Sequence, residues 1–455
     1  MTTIVSFVVV IGILILIHEL GHFFVARWTG VGVERFSIGF GPVLLRWRGK
    51  ETEYCLSAIP MGGYVKMLGE ENPLEGGAGA IPHDPRKAFA LKPLWARFLI
   101  VFAGPGMNLV LAAAIFAAVL GTLGRPVWPA VVGKVTPDSP AARAGIETGD
   151  RIVAVDGRSV AYWEDLERAL KAAHGRPVSL RVESDAGART VTLTPRRTTV
   201  TDPIFREPRE TWDVGLGPRL VPQISSVQPG SPAERAGLAP GDVVVGVEGQ
   251  RVYTPEDMVE VIRARPGESL SITVERDGAR RTVTVVPEAE KEKGLDGEER
   301  EVGRIQAGIA TKAVRFEPYD PLAALWHGAV RTWDVTLLTL KVLWKVATLQ
   351  LDSSNIGGPV QIATEAGRQA RDGVAALALF TAYISVNLAV LNLLPVPMLD
   401  GGHLFFFVCE ALLGRPVSLR TREVAQQVGF VLLMLLMGYA LYNDLARLDA
   451  FRFIR

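Results

Sequence analysis

The first long apolar segment of the chain reads IVSFVVVIGILILIHELGHFFV (residues 4–25) and contains two histidines that flank Glu19. A helix needs about 20 apolar residues to cross the hydrocarbon core of a bilayer, so this segment is long enough to span a membrane. A secretory signal peptide would begin with basic residues and end at a small-residue cleavage site, whereas residues 1–17 carry no charge. We therefore expect a retained transmembrane helix.

Three more apolar stretches have the length of a membrane span, namely residues 98–123, 374–394 and 424–442. The composition of the 455-residue chain agrees, because 48% of its residues are hydrophobic while 21% are charged. Membrane spans and soluble domains should therefore coexist. The net charge of +1 gives no reason to propose nucleic acid as a partner.

The basic residues are distributed unevenly around these spans. Arg and Lys are frequent between spans one and two and between spans three and four, whereas the extreme N-terminus has none. The positive-inside rule then predicts that both loops are cytoplasmic and that both termini and region 124–373 are extracytoplasmic. The only two cysteines, Cys55 and Cys409, fall on the reducing side, so we expect no disulfide.

The long region between spans two and three contains an internal repeat. Residues 135–150, VTPDSPAARAGIETGD, return at 227–242 as VQPGSPAERAGLAPGD. Each copy continues with a strand, a turn, a helix and a further strand, and this pattern resembles PDZ domains attached to bacterial proteases. The resemblance implies a groove at a strand edge where an extended peptide can add as a strand. Alternatively, the pair acts only as a spacer or size gate.

A helix after the repeats, at 320–352, has its polar side chains on a narrow stripe and tryptophans and leucines elsewhere. We expect this amphipathic helix to lie along the membrane interface rather than to cross it.

The motif His18-Glu19-Leu20-Gly21-His22 places two imidazoles four residues apart on one helix face, where they can bind one metal ion, with Glu19 beside it to accept a proton from water. An ionisable residue in a membrane span is costly and points to function. The structural alternative is a polar cluster at a helix end that reaches the interface.

A catalytic zinc site usually has three protein ligands, so a third must come from elsewhere in the chain. We expect Asp400, in NLLPVPMLDGGH (residues 392–403), because Pro395, Pro397 and the two glycines after it predict an unwound segment at the end of span three. Span three runs inward and so ends near the depth of the histidines. His403 is a rival ligand, for which a supporting or helix-capping role is favoured.

These motifs and the tandem repeats together resemble the bacterial site-2 proteases, which are intramembrane zinc metalloproteases. The resemblance covers nearly the whole chain. It implies Zn²⁺ bound by His18, His22 and Asp400, catalysis by Glu19, and cleavage of membrane-anchored proteins of the anti-sigma-factor type and of remnant signal peptides in the inner membrane. It further implies substrate contacts by the five residues Asn387, Asn392, Gly39, Phe40 and Gly41.

Structural explanations exist for the substrate-contact residues. Hydrogen bonding between helices is sufficient to account for Asn387 and Asn392. Residues 36–43 and 54–67 predict a β-hairpin-like element with Gly62-Gly63 at a turn, but contact with substrate does not follow from this pattern. Two other functions compete, a catalytically silent membrane adaptor and a metal-dependent transporter. Glu19 between two histidines argues against the first, and the lack of an inverted repeat of spans argues against the second.

The predicted fold is thus a polytopic α-helical membrane protein with four transmembrane helices, two extracytoplasmic PDZ-like α+β domains and a cytoplasmic β-hairpin-like loop. Its predicted parts are transmembrane helix 1 (1–26), cytoplasmic loop (27–96), transmembrane helix 2 (97–123), PDZ-like domains (124–215 and 216–315), interfacial helix (320–352), transmembrane helix 3 with an unwound LDGG segment (374–402), cytoplasmic loop (403–423) and transmembrane helix 4 (424–443).

Overall fold

A computed structural model of the chain describes residues 2–69, 84–184, 186–201, 205, 208–293, 299–312, 315–348, 350 and 358–447. The chain divides into two compact units. One unit, called the membrane unit because it contains the apolar segments, comprises Met1–Gly124 and Pro318–Arg455. The other, called the repeat unit, is Arg125–Glu317.

The helices of the described residues include two short 3-10 turns, Pro85–Lys87 and Phe89–Leu91. The α-helices, in chain order, are α1 (Thr2–Trp28), α2 (Leu94–Thr122), α3 (Pro140–Arg143), α4 (Trp163–Ala172), α5 (Pro232–Arg235), α6 (Pro255–Arg263), α7 (Pro321–Ala347), α8 (Pro359–Asp372), α9 (Val374–Asn392), α10 (Asp400–Leu413) and α11 (Leu419–Arg447).

The strands are short except for the first two. In chain order they are β1 (Val33–Arg48), β2 (Glu53–Met67), β3 (Arg125–Val127), β4 (Val132–Val135), β5 (Arg151–Val155), β6 (Arg158–Ser159), β7 (Val178–Ser184), β8 (Gly187–Leu193), β9 (Arg196–Thr201), β10 (Pro208–Asp213), β11 (Leu216–Pro218), β12 (Pro222–Val227), β13 (Val243–Val247), β14 (Gln250–Arg251), β15 (Leu270–Arg276), β16 (Ala279–Val285), β17 (Glu288–Lys293), β18 (Glu299–Arg304), β19 (Ala307–Thr311) and β20 (Arg315–Glu317).

Four helices in the described part of the chain are long and apolar enough to cross a membrane: Thr2–Trp28, Leu94–Thr122, Val374–Asn392 and Arg420–Leu445. Their most apolar windows have mean hydropathies between 1.8 and 2.5. These helices correspond to the four apolar stretches of the sequence, and they fit a membrane protein.

The end of the third span differs from the prediction. The unwound stretch is residues 393–399, between α9 and α10, and Asp400 begins a new helix instead of lying in an unwound LDGG segment. Much of the predicted loop at 403–423 therefore belongs to α10. The prolines at 395 and 397 interrupt the helix, whereas an acidic residue in a first turn favours a new one. The glycines of LDGG serve close approach, because a methyl group at Gly402 would lie 2.8 Å from Pro397 Cα.

Helix α7, which we predict to lie along the membrane interface, packs lengthwise against α2. Gly121 of α2 lies opposite Ala324, and further along the pair a methyl group at Gly328 would come within 2.7 Å of the Ala113 carbonyl oxygen. The two helices therefore run antiparallel, side by side. Small residues permit this close approach.

Within the loop predicted at residues 27–96, β1 and β2 form one sheet. The register divides β1 and β2 into four segments, 33–40, 43–48, 53–57 and 63–67. The second segment pairs with the third, the third with the first, and the first with the fourth. The predicted turn at Gly62-Gly63 lies inside β2, where Gly62 has a φ of +124° and the strand bends between its pairing partners.

The repeat unit contains one hydrophobic core for each repeat. The first repeat has a sheet of order β6-β5-β7-β8, and the second a larger sheet of order β16-β15-β13-β12-β19. The shared sequence motif has a local structural role in both copies. In the second, the Ser231 hydroxyl accepts a hydrogen bond from Glu234 N–H at 3.2 Å and caps α5, while Asp242 accepts one from Ala239 N–H at 2.9 Å.

Candidate metal centre

The two histidines of α1 are both buried and face α2. His22 Nδ1 lies 2.9 Å from the Ile100 carbonyl oxygen, and because a carbonyl only accepts, this nitrogen carries the proton. His22 Nε2 is then left with a lone pair for a metal ion. It lies 3.3 Å from His18 Nε2, so the two imidazoles converge.

Asp400, the first residue of α10, completes the group. Its Oδ2 lies 3.1 Å from His18 Nε2 and its Oδ1 lies 3.7 Å from His22 Nε2. These three residues offer ligand atoms within 4.8 Å of one another, the one such group of three or more found among the described residues. His403, the rival ligand, is not part of it and is exposed.

The spacing of the three residues fits a tetrahedral ion. Ligand atoms bound at about 2.0–2.1 Å in tetrahedral geometry lie about 3.3–3.5 Å from each other. The two imidazole nitrogens are 3.3 Å apart, and the nearest Asp400 oxygens lie 3.1 Å from His18 (Oδ2) and 3.7 Å from His22 (Oδ1), close to that value. Two imidazoles and one carboxylate form the donor set of many catalytic zinc sites, which keep a fourth position for water.

Glu19 lies beside this group and interacts electrostatically with both imidazoles and with Asp400. The sheet of the loop covers it directly, because a methyl group at Gly63 would come within 2.9 Å of Glu19 Cγ. A glycine at position 63 therefore allows β2 to approach the glutamate. The sequence indicated this glycine only as a turn residue.

The structure separates the predicted substrate residues into two groups. Asn387 accepts a hydrogen bond from the Thr339 hydroxyl at 2.8 Å, which joins α9 to α7, the structural alternative considered for it. Asn392 ends α9 and is half-buried where the chain unwinds towards Asp400.

The Gly39-Phe40-Gly41 segment forms the bend of β1. Gly39 and Gly41 have φ values of +89° and +82°, a backbone conformation that favours glycine. A methyl group at Gly62 would collide with the Phe40 ring, and the next residue, Gly63, lies against Glu19. Residues 62 and 63 of β2 therefore lie between the bend of β1 and Glu19.

Two further residues of the site were missed at the level of sequence, Gly104 and Asn108, both in α2. A methyl group at Gly104 would lie 2.6 Å from His22 Cε1 and 2.9 Å from His18 Cε1. The Asn108 side chain is fully buried and its amide lies 3.3 Å from His18 Nδ1. A signal was present, because the segment FAGPGMN (residues 102–108) sets small and polar residues inside a span.

Comparison with known proteins decides the family of this site. The family model for peptidase family M50 matches residues 6–436. The chain belongs to peptidase family M50. A relative from Ralstonia nicotianae, whose name assigns it to the zinc metalloproteases, is 39% identical over 98% of this chain and 99% of its own length. The regulator of sigma-E protease RseP of Escherichia coli is 38% identical over 97% of this chain and 98% of its own length.

The same protease from Salmonella typhimurium is 37% identical, again over 97% of this chain and 98% of its own. Membership of M50 confirms the resemblance to site-2 proteases and the prediction of a metalloprotease. Together with the four apolar helices, it makes the chain a membrane metalloprotease.

Proposed function

We propose that this M50 protein is an intramembrane zinc metalloprotease that cleaves single-span membrane proteins in regulated intramembrane proteolysis. The observation that carries the proposal is the convergence of His18, His22 and Asp400, from two helices far apart in the chain, with distances that fit one tetrahedral ion. All three lie where apolar helices pack together, so the reaction takes place below the membrane surface.

In this proposal each residue of the site has one role. His18, His22 and Asp400 hold zinc, which when bound polarises the scissile carbonyl and lowers the pKa of a water molecule. Glu19 takes the proton of that water and transfers it to the leaving amine. The sheet segment at Gly63 keeps the glutamate in place and shields it from one side.

Substrate must present an extended backbone, because a helix occupies its own carbonyl groups in hydrogen bonds. Asn392 at the end of α9 and the Gly39-Phe40-Gly41 bend are proposed to hold such an unwound segment. Four relatives carry the name regulator of sigma-E protease, and from this name we propose the substrate class of this chain: membrane-anchored anti-sigma factors and remnant signal peptides.

The repeat unit is proposed to control access as a pair of extracytoplasmic PDZ-like domains. We place the chain in the bacterial inner membrane with both termini on that same side, on the strength of the charge distribution. In the second repeat, β19 lies at the edge of its sheet and contacts α6, an arrangement that offers a groove for an added peptide strand. Steric exclusion of substrates with a large outer domain is the other means of control.

The test uses the purified full-length protein with a single-span substrate in proteoliposomes. We expect about one zinc per chain, as the ligand set of a catalytic site requires. Glu19→Gln should keep the zinc and lose cleavage, while the exposed control Glu167→Gln should keep both. Unchanged cleavage by the Glu19→Gln variant would disprove the proposed role of Glu19, and a chain without zinc would disprove the site.

A further inference from the structure

The two histidines of α1 face residues of α2 that are spaced at the same helical interval. His22 and His18 are four residues apart, and opposite them Ile100, Gly104 and Asn108 follow one another at four-residue steps. Ile100 supplies the carbonyl that accepts from His22 Nδ1 at 2.9 Å, Gly104 supplies clearance for both rings, and Asn108 lies 3.3 Å from His18 Nδ1. Each imidazole therefore turns one nitrogen towards α2 and the other towards Asp400.

The chemistry required of Asn108 follows from the chemistry of a metal ligand. An imidazole binds a metal ion through a nitrogen without a proton, so the other nitrogen carries the proton and needs an acceptor. For His22 this acceptor is a backbone carbonyl. For His18 it must come from the side chain that faces Nδ1.

The Asn108 amide can supply that acceptor. Its Oδ1 is buried and has no hydrogen-bond partner, while its amide nitrogen is the atom placed next to His18. The nitrogen and oxygen of an amide exchange places by rotation of half a turn about χ2, and their assignment follows from the hydrogen-bond network rather than from the shape of the group. With the oxygen turned to His18, Nδ1–H donates to Oδ1.

We propose that Asn108 is a positioning residue that holds His18 in the tautomer whose Nε2 binds zinc. This role rests on the zinc site proposed above. It makes α2 the element that orients both histidines, one through its backbone and one through a side chain. Asn108 itself is anchored, since its backbone carbonyl accepts a hydrogen bond from the Ser385 hydroxyl of α9 at 2.7 Å.

Zinc affinity, measured apart from proteolysis, tests this role. The full-length chain carrying Glu19→Gln is freed of metal in detergent and titrated with zinc against a competing chelator. Asn108→Leu removes the acceptor at similar volume and should weaken zinc binding about 10- to 100-fold, the usual effect of losing such a partner. Asn108→Asp has only acceptor oxygens, so it should bind zinc within about threefold of the parent.

Ser385→Ala is the matched control, because it removes a buried hydrogen bond at the same residue and leaves the amide intact. It should also stay within about threefold of the parent in zinc affinity, since the amide group that faces His18 is unchanged. Equal affinity of the Asn108→Leu variant and the parent would overturn the proposal.

If the leucine variant does not fold, the aspartate variant decides alone, and a tenfold loss there would overturn the proposal. A wild-type chain, with Glu19 intact, that binds zinc but cleaves nothing would overturn the proposed function and leave the role of Asn108 supported by the affinities. A parent chain that binds no zinc would overturn both.

Discussion

Buried polar side chains are used differently in the two units of this molecule. In the repeat unit, Ser231 and Asp242 each accept a hydrogen bond from a backbone N–H three residues away in the chain. In the membrane unit, His18, Asn108 and Asp400 come from three helices and meet at one place. Hydrogen bonds to nearby backbone groups stabilise a turn, whereas two imidazoles and a carboxylate that converge on one point form a candidate metal site.

The membrane unit contains an instructive exception. Asp444 of α11 is buried and also pairs over a long distance, but its partners are the backbone N–H groups of Gly358, Val360 and Gln361 at the start of α8. Such a carboxylate caps a helix and has no further chemistry. A contact between residues far apart in the chain is therefore not enough to identify a chemical site. The partners decide: Asp400 faces two imidazoles, whereas Asp444 accepts from backbone N–H groups.

The largest expected effect comes from comparing these two aspartates. Asp400→Asn should lower zinc affinity more than about 100-fold, beyond the loss expected for a residue that only supports a ligand, and should abolish cleavage. Asp444→Asn should keep the zinc affinity and lower the free energy of unfolding by about 1–3 kcal/mol, because buried N–H groups lose an acceptor. Metal titration and thermal unfolding of both variants measure this. Equal zinc loss in both would erase the distinction.

A second comparison concerns ion pairs. The Arg97 guanidinium donates to Glu410 of α10 at 2.6 Å, and both side chains are largely buried. Glu410→Gln leaves an uncompensated charge and should destabilise the membrane unit by about 3 kcal/mol. The control pair Lys171–Glu167 is exposed on α4, and Glu167→Gln should cost less than about 0.5 kcal/mol. Similar unfolding midpoints for the two variants would contradict this prediction.

A third comparison uses two glycines of the same helix. Gly104→Ala brings a methyl group against both histidine rings and should cost about 2 kcal/mol, equivalent to about a 30-fold loss of zinc affinity if the rings move. Gly106→Ala meets only the Phe102 ring at an ordinary 3.4 Å and should leave zinc binding unchanged. The same zinc titration measures the affinity of both variants. Equal affinities would show that α1 and α2 can move apart enough to accommodate a methyl group at position 104.

The smallest effect is expected in the repeat unit. Hydrogen bonds from Arg276 lower the pKa of Asp242, so this carboxylate stabilises the second repeat at neutral pH. That contribution should be lost as the pH falls below about 4, through the lowered pKa of the folded state, because the unfolded chain takes up the proton first. Asp242→Asn should cost about 1–2 kcal/mol at pH 7 and should flatten this dependence.

Hydrogen exchange of the second repeat within the full chain measures this effect, and zinc affinity should not change. Weaker zinc binding by the Asp242→Asn variant would contradict the comparison, because it would show that a side chain of the repeat unit affects the metal site.

The reach of sequence reasoning differs along the chain for a physical reason. The four apolar helices, the repeat and the metal motif of α1 were predicted because each can be read directly from the order of residues along the chain, without knowledge of how distant segments pack. The interfacial position of α7 stays a prediction, and its packing was not foreseen, since a polar stripe does not reveal that Arg331 hydrogen-bonds to Tyr383 of α9. The prediction of an unwound LDGG segment followed by a loop at 403–423 was wrong, because prolines and glycines signal a break but do not set where the next helix begins.

By itself, the sequence determined the four apolar helices, the paired repeats and the residue types of the site, because hydropathy, turn chemistry and ligand spacing are local properties. Only the tertiary structure decided that Asp400 approaches His18 to 3.1 Å, that Gly63 covers Glu19, and that Asn108 faces an imidazole. These distances depend on how α1, α2 and α10 pack, and packing is a sum of many contacts between residues that are remote in the chain.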